Sequence, residues 1–259
     1  MKRERIAMNR LHATKDFWLA ALRADSPALQ DAVAQAGPEA AVPGCPDWTV
    51  ADLVEHLTSE LHWVREIAAR GVTERPDPPQ VPPRPEWETA LDGLRRELTG
   101  TIETLEALDA DFAAWNWAPQ AKKASFWQRR MAHEISVHRW DAESAAERPT
   151  PIETKLAADG VSEVLDTWLP AGRRKGPTDL HGVVHLIAND AGYEWFVRLR
   201  GAGVALLDTG TILDSDDHHA RAQATGTASD LLLMLMGRLR TDRLVVTGDP
   251  RLISALRTG

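Results

Sequence analysis

Apolar residues recur at three- and four-residue spacing through four segments, 9–35, 50–70, 86–108 and 126–147. That period predicts four amphipathic helices burying one face each in a bundle. Between them, PEAAVPGCPDW (38–48) and the proline-rich ERPDPPQVPPRPEW (74–87) cannot continue a helix, and the second reads as an extended crossover within the bundle. The domain boundary is placed at ERPTP (147–151), which divides the chain into residues 1–149 and 150–259. Beyond it, a helix near 152–169 leads into a period of two. HGVVHLIA, EWFVRLRG, GVALLDTG and RLVVTGD read as strands, and TASDLLLMLMGR reads as a helix capped by Thr227. GDP at 248–250 lacks the glycine spacing of a nucleotide loop and is taken as a turn before a last short helix. The expected class is α+β: an N-terminal four-helix bundle followed by a small α/β domain.

On a helical wheel of ~100° per residue, Trp127, Met131, Ile135, Ala142 and Ala145 share one face of the fourth segment. Glu134, His138 and Asp141 fall in the middle of that face, whereas His133 falls well off it, with Trp140. On a solvated surface a Glu/His pair at i, i+4 would be worth only ~0.2–0.5 kcal/mol. Inside a bundle each group needs a charged or hydrogen-bonding partner, and a divalent metal satisfies both at once.

The second segment offers a third ligand. In DWTVADLVEHL (47–57), Thr49 followed three residues later by Asp52 makes an acidic variant of the capping box, so the helix start is well specified. Val50, Leu53, Val54, Leu57, Trp63, Val64 and Ile67 form a broad apolar arc with His56 inside it, while His62 lies on the polar side with Glu55, Ser59 and Glu66. His56, Glu134 and His138 therefore make a two-histidine, one-carboxylate set, a zinc ligation with a fourth position for water or substrate. The bland alternative is a satisfied core histidine beside an Arg130–Glu134 ion pair.

Composition narrows the class. With 43% hydrophobic residues in 259, the chain can bury a sizeable core in two domains. A formal charge of −8, with no Lys/Arg run interleaved with aromatics, excludes the footprint of a nucleic-acid binder and makes an anionic membrane a poor partner. The longest apolar run, 231–236, is far short of the ~20 residues of a membrane span, and MKRERIAMNR is followed by no signal-peptide core. One cysteine, Cys45, excludes a disulfide framework, and the expectation is a cytoplasmic protein, monomer or homodimer, acting on small molecules. Cys45, between Gly44 and Pro46 with no basic neighbour, reads as a loop thiol without a catalytic role. Ten tryptophans against one tyrosine is an unusual bias, for which bundle packing accounts as well as a ligand wall does.

VPGCPDWTVADLVEHL (42–57), HEISVHRWDAESAAERP (133–149) and ATGTASDLLLMLMGR (224–238) together resemble the mycothiol-dependent maleylpyruvate isomerase family, within the DinB-like four-helix metalloenzymes. The resemblance spans nearly the whole chain. It implies metal ligands at His56, Glu134 and His138, an important arginine at Arg238, and mycothiol as the thiol cofactor or cosubstrate. Zinc held by two neutral histidines and one carboxylate carries a charge near +1 and favours an incoming thiol as thiolate. Such a thiolate can add to a conjugated double bond, allow rotation and leave, or stay attached as an S-transfer product. Asp141, one turn past His138, is placed to orient that histidine. Arg238 follows Gly237, which would let the chain turn its guanidinium toward a cleft and a developing anion, although capping its own helix is the competing role. Two other classes stay open: a metal-dependent hydrolase using an activated water, and a non-enzymatic binding module.

Overall fold

The computed structural model describes residues 14–77, 84–207 and 220–259. Two compact units, Thr14–Ile152 and Glu153–Gly259, account for them. The first consists of α1 (Lys15–Ala36), α2 (Val50–Ala69), α3 (Trp87–Ala107) and α4 (Ala124–Ala145). The four helices expected from periodicity are present, with ends displaced by one to a few residues. Residues 9–13 of the first expected helix and 78–83 of the expected crossover lie outside the described residues.

α1 packs chiefly on α4, and α2 on α3. Leu19, Leu22, Leu29 and Val33 of α1, Leu53, Leu57 and Leu61 of α2, Leu94, Leu98 and Leu105 of α3, and Trp127, Met131 and Ile135 of α4 are all almost fully buried. Burying these side chains, at ~1.5–3 kcal/mol each, is the main favourable term in assembling the bundle. α4 departs from the amphipathic pattern because 14 of its 22 residues are buried, among them Gln128, Arg130, His133, Ser136, His138, Arg139 and Asp141. A helix enclosed on most sides has no solvated face, so its polar residues must find partners inside the protein.

The second unit opens with α5 (Thr154–Glu163), which runs into a π-helical turn, Val164–Trp168. Its sheet contains β1 (His181–Ala188), β2 (Tyr193–Arg200), β3 (Gly203–Leu207), β4 (Arg221–Gly226) and β5 (Val245–Gly248), in the order β3-β2-β1-β4-β5. All pairs are antiparallel except β1 with β4. Four of these strands coincide with expected ones; residues 208–210 of the GVALLDTG stretch lie outside the described residues. β4 was not expected, and its sequence, RAQATG, shows why. The inward positions are Ala222 and Ala224, too small to carry a hydrophobic alternation. α6 (Ala228–Leu235) starts at Thr227, whose hydroxyl accepts from the Asp230 amide, and α7 (Pro250–Ser254) follows the GDP turn. No helix among the described residues is long and apolar enough to cross a membrane.

Candidate metal centre

The centre is assembled in the first unit from one turn and two helices. At the start of α2, the Thr49 hydroxyl accepts from the Asp52 amide, and the Thr49 amide donates to Asp52 Oδ2 at 2.7 Å, the reciprocal cap that its sequence specifies. One turn further on, His56 reaches across to α4. Its Nε2 lies 3.1 Å from Glu134 Oε1, and His138 Nε2 lies 3.2 Å from the same oxygen. The two imidazole rings stand 5.2 Å apart at 68°, and one donor atom from each of the three residues falls within 4.8 Å of the others. Side-chain exposure grades from 35% at His56 through 13% at Glu134 to 7% at His138, so the histidine of α2 is the one open to incoming molecules.

The surroundings of these three residues are polar. Arg130 Nη2 donates to Glu134 Oε2 at 2.8 Å, which leaves Oε1 for the imidazoles. His138 Nδ1 lies 2.9 Å from Asp141 Oδ2, and the Asp141 side chain has no exposed surface. With an Nδ1–H donated to that carboxylate, the neutral ring presents a lone pair on Nε2 toward another acceptor, Glu134 Oε1. Only a proton or a cation between Nε2 and Oε1 relieves that opposition. In the metal-free protein it is a proton: burial opposes charging of His138, but the Glu134 charge and hydrogen bonds with Asp141 and Glu134 outweigh it and raise the imidazole pKa to about 9. Burial likewise pushes the Glu134 carboxyl up, and the charge of His138, hydrogen bonds from both histidines and Arg130 hold it well below the usual carboxylate range. The donor set, two imidazole nitrogens and one carboxylate oxygen converging with a second carboxylate behind the deeper histidine, suits a divalent cation such as zinc.

Several placements differ from expectation. His133 is not on an open face: it is buried on α4, because that helix is enclosed on most sides, but it is not part of the three-residue cluster. Arg130 grips Glu134 from one turn earlier with a side chain only 4% exposed, the ion pair weighed as an alternative to a metal site. Cys45 is not an isolated loop thiol. Its Sγ lies 3.6 Å from Asp141 Oδ2, and with His138 it completes a second cluster of potential metal donors. Trp48 packs against His56 at a ring distance of 5.1 Å. Nothing in local sequence signals the contact of Cys45 with Asp141, since the two are 96 residues apart. Trp63, Trp115 and Trp127 form edge-to-face pairs, the packing role considered for the tryptophans. His62 pairs with Glu97 and is half-exposed, on the polar side of α2 as expected.

In the second unit, Gly237 adopts φ 81° and closes α6 in a Schellman turn, the Arg238 amide donating to Leu233 O and the Gly237 amide to Met234 O. A Cβ at Gly237 would also meet the Gly259 carbonyl carbon at 2.6 Å, so glycine is required twice over. The Arg238 Nη1 donates to Met236 O at 2.7 Å.

A four-helix bundle in which two histidines and a glutamate converge between two helices, followed by a small five-stranded α/β unit, defines a two-part class of protein with a candidate metal centre in its first part. The comparisons agree on which. Residues 19–143 match the mycothiol maleylpyruvate isomerase N-terminal domain, and residues 155–255 match the C-terminal domain of the same family. The chain belongs to the mycothiol-dependent maleylpyruvate isomerase family, a family of enzymes. Two solved structures share its fold: the mycothiol-dependent maleylpyruvate isomerase, at 11% identity and a TM-score of 0.58, and a histidine-to-alanine mutant, at 12% and 0.59. Each alignment covers 90% of this chain and 93% of the other. No curated protein matches the chain in sequence at a significant level.

Proposed function

We propose that the chain is a metal-dependent enzyme that uses a low-molecular-weight thiol, mycothiol, against a small electrophile, by isomerisation or S-transfer. The observation that carries the reading is the convergence of His56 Nε2 and His138 Nε2 on Glu134 Oε1 at 3.1 and 3.2 Å, in a family named for mycothiol. A divalent metal, zinc by preference of this donor set, would supply Lewis acidity that makes a thiol acidic enough to act as thiolate at neutral pH.

The chain's own residues do the rest. Asp141 accepts the Nδ1–H of His138 and fixes the tautomer that presents Nε2. Arg130 holds the far oxygen of Glu134, so the carboxylate stays ionised and oriented despite burial. His56, the most exposed of the three, marks the side from which reactants arrive. Arg238 is assigned the stabilisation of negative charge developing on the electrophile, in competition with its bond to Met236 O.

The test is elemental analysis of the purified protein and of its His56→Ala variant, followed by turnover of candidate electrophiles with and without mycothiol. Near-stoichiometric divalent metal in the native protein, its loss in the variant, and turnover that requires the thiol are expected. Turnover without any thiol would make the centre hydrolytic, and a metal-free protein with no turnover would make the unit a binding module.

A further inference from the structure

Cys45 sits where two tight turns meet. Its amide donates to Val42 O at 3.0 Å, closing one turn with Pro43 in second place, and its carbonyl accepts from the Trp48 amide at 3.1 Å, closing another with Pro46 in second place. Proline fixes φ at the second position of each, and Asp47 holds the φ of 69° that the third position of a type II turn requires. The Val42 amide donates to Trp48 O at 2.9 Å, and Ala41 bridges Thr49 at the neck, so the loop leads directly into the Thr49–Asp52 cap of α2. This closed loop makes two contacts with the centre. Trp48 packs on the His56 ring at 5.1 Å, and Cys45 Sγ lies 3.6 Å from Asp141 Oδ2, the oxygen that also stands 2.9 Å from His138 Nδ1.

We propose that Cys45 is a positioning residue for His138: its thiol donates to Asp141 Oδ2 and, held by the closed loop, fixes the plane of the carboxylate that aims the imidazole. The proposal rests on the reading of His56, Glu134 and His138 as a metal centre. A carboxylate oxygen has two lone-pair directions, so Oδ2 can accept from the thiol and from Nδ1–H together. The bond from His138 comes from the same helix as Asp141 and moves with it. The thiol comes from a separate element and ties the carboxylate to the loop, and outer hydrogen bonds of this kind orient metal-bound histidines generally. The donor atoms of Cys45, His138 and Asp141 also lie close enough to hold a cation of their own. The hydrogen bond is the better use of them, because an Nδ1 that donates its proton to Asp141 has no lone pair for a second ion. Since the same loop packs on His56, it sets an imidazole of α2 and one of α4 from a single piece of backbone.

Two measurements test the hydrogen bond and its effect on the centre separately. Cys45 is the one cysteine of the chain, so the S–H stretching band in its infrared spectrum belongs to a known residue. In the reduced chain as purified, that band is expected at lower wavenumber than in the unfolded chain, and Asp141→Asn should move it part of the way back. A native band at the unfolded position, or no S–H band at all, would overturn the proposal. The second measurement is zinc affinity by chelator competition. Cys45→Ala and the similarly sized Cys45→Val are expected to weaken binding by about three- to ten-fold, less than the loss expected of Asp141→Asn. Cys45→Ser keeps a donor and should bind zinc at least about two-fold tighter than either. In the Asp141→Asn background, Cys45→Ala should cost less than about two-fold more, because it acts through that carboxylate. Equal losses in the serine and valine variants, or losses that multiply in the double variant, would make Cys45 a packing residue and overturn the proposal. A shifted S–H band in a chain that binds no zinc would overturn the reading of the centre, and the positioning role with it.

Discussion

His138 Nδ1 stands 2.9 Å from Asp141 Oδ2, and that carboxylate is completely buried one turn along the same helix. A buried ionised carboxylate is costly unless it is partnered. The His138 ring meets that need, and Cys45 Sγ lies 3.6 Å from the same oxygen. The pair thus couples the stability of α4 to the orientation of an imidazole of the candidate metal centre. Asp141→Asn preserves shape but removes the charge that favours Nδ1–H. Metal affinity is expected to fall about 10–100-fold, the range seen for outer hydrogen-bond partners of metal-bound histidines. Chelator competition measures it, and affinity within two-fold of native would separate Asp141 from the centre.

His56→Ala, Glu134→Gln and His138→Ala are each expected to lose most of their bound metal, whereas His62→Ala and His133→Ala should keep it. The two controls differ from each other. His62 is half-exposed, and its removal should leave the melting temperature nearly unchanged. His133 is buried in α4, so its truncation leaves a cavity and should cost on the order of 1–3 kcal/mol of stability. Metal loss in His133→Ala beyond that caused by partial unfolding would place it among the ligands.

The pH dependence follows from the raised pKa of His138, about 9 in the metal-free fold against an ordinary value of 6.5. The folded state binds this proton more tightly than the unfolded chain. Its contribution to stability is therefore fully present below pH 6.5 and is lost as pH rises through about 9. Glu134 runs the opposite way, contributing above the ordinary 4.5 and losing its contribution as pH falls. Metal-free protein should accordingly lose several degrees of melting temperature between pH 6.5 and 9.5, while metal-loaded protein, which has no such proton to lose, should not. Metal affinity should rise about tenfold per pH unit up to the same value near 9. Parallel pH profiles for the two forms would show that the proton and the metal do not share the site.

Arg238→Met is expected to retain metal and to lower thiol-dependent turnover by about 100-fold, the scale of a fixed donor to a developing oxyanion. The competing outcome is concrete, because Arg238 Nη1 already donates to Met236 O at the end of α6. If that bond is the whole of its role, the variant loses up to ~1 kcal/mol of stability and keeps its turnover. Thermal melts and steady-state kinetics on the same preparation separate the two.

Local chemistry written in the chain determined the helices of the first unit, the Thr49–Asp52 cap, the Thr227 cap and the glycine at 237 that ends α6, because each depends on residues within one or two turns of each other. Periodicity also sufficed to bring His56, Glu134 and His138 together as candidates, since a glutamate and a histidine four residues apart on one helix and a histidine in the apolar arc of another leave a readable pattern. Tertiary structure decided what periodicity could not. α4 is enclosed on most sides, so burial no longer follows a stripe, and the wheel misjudged the burial of His133 for that reason. β4 has alanines where a strand usually shows branched residues, and its pairing with β1 on one side and β5 on the other makes it a strand. The contacts of Cys45 with Asp141 and of Arg84 with Asp52 and Glu55 join residues that lie far apart along the chain. Such pairings exist only after the backbone has folded, because loop closure, and not local preference, brings their atoms within reach.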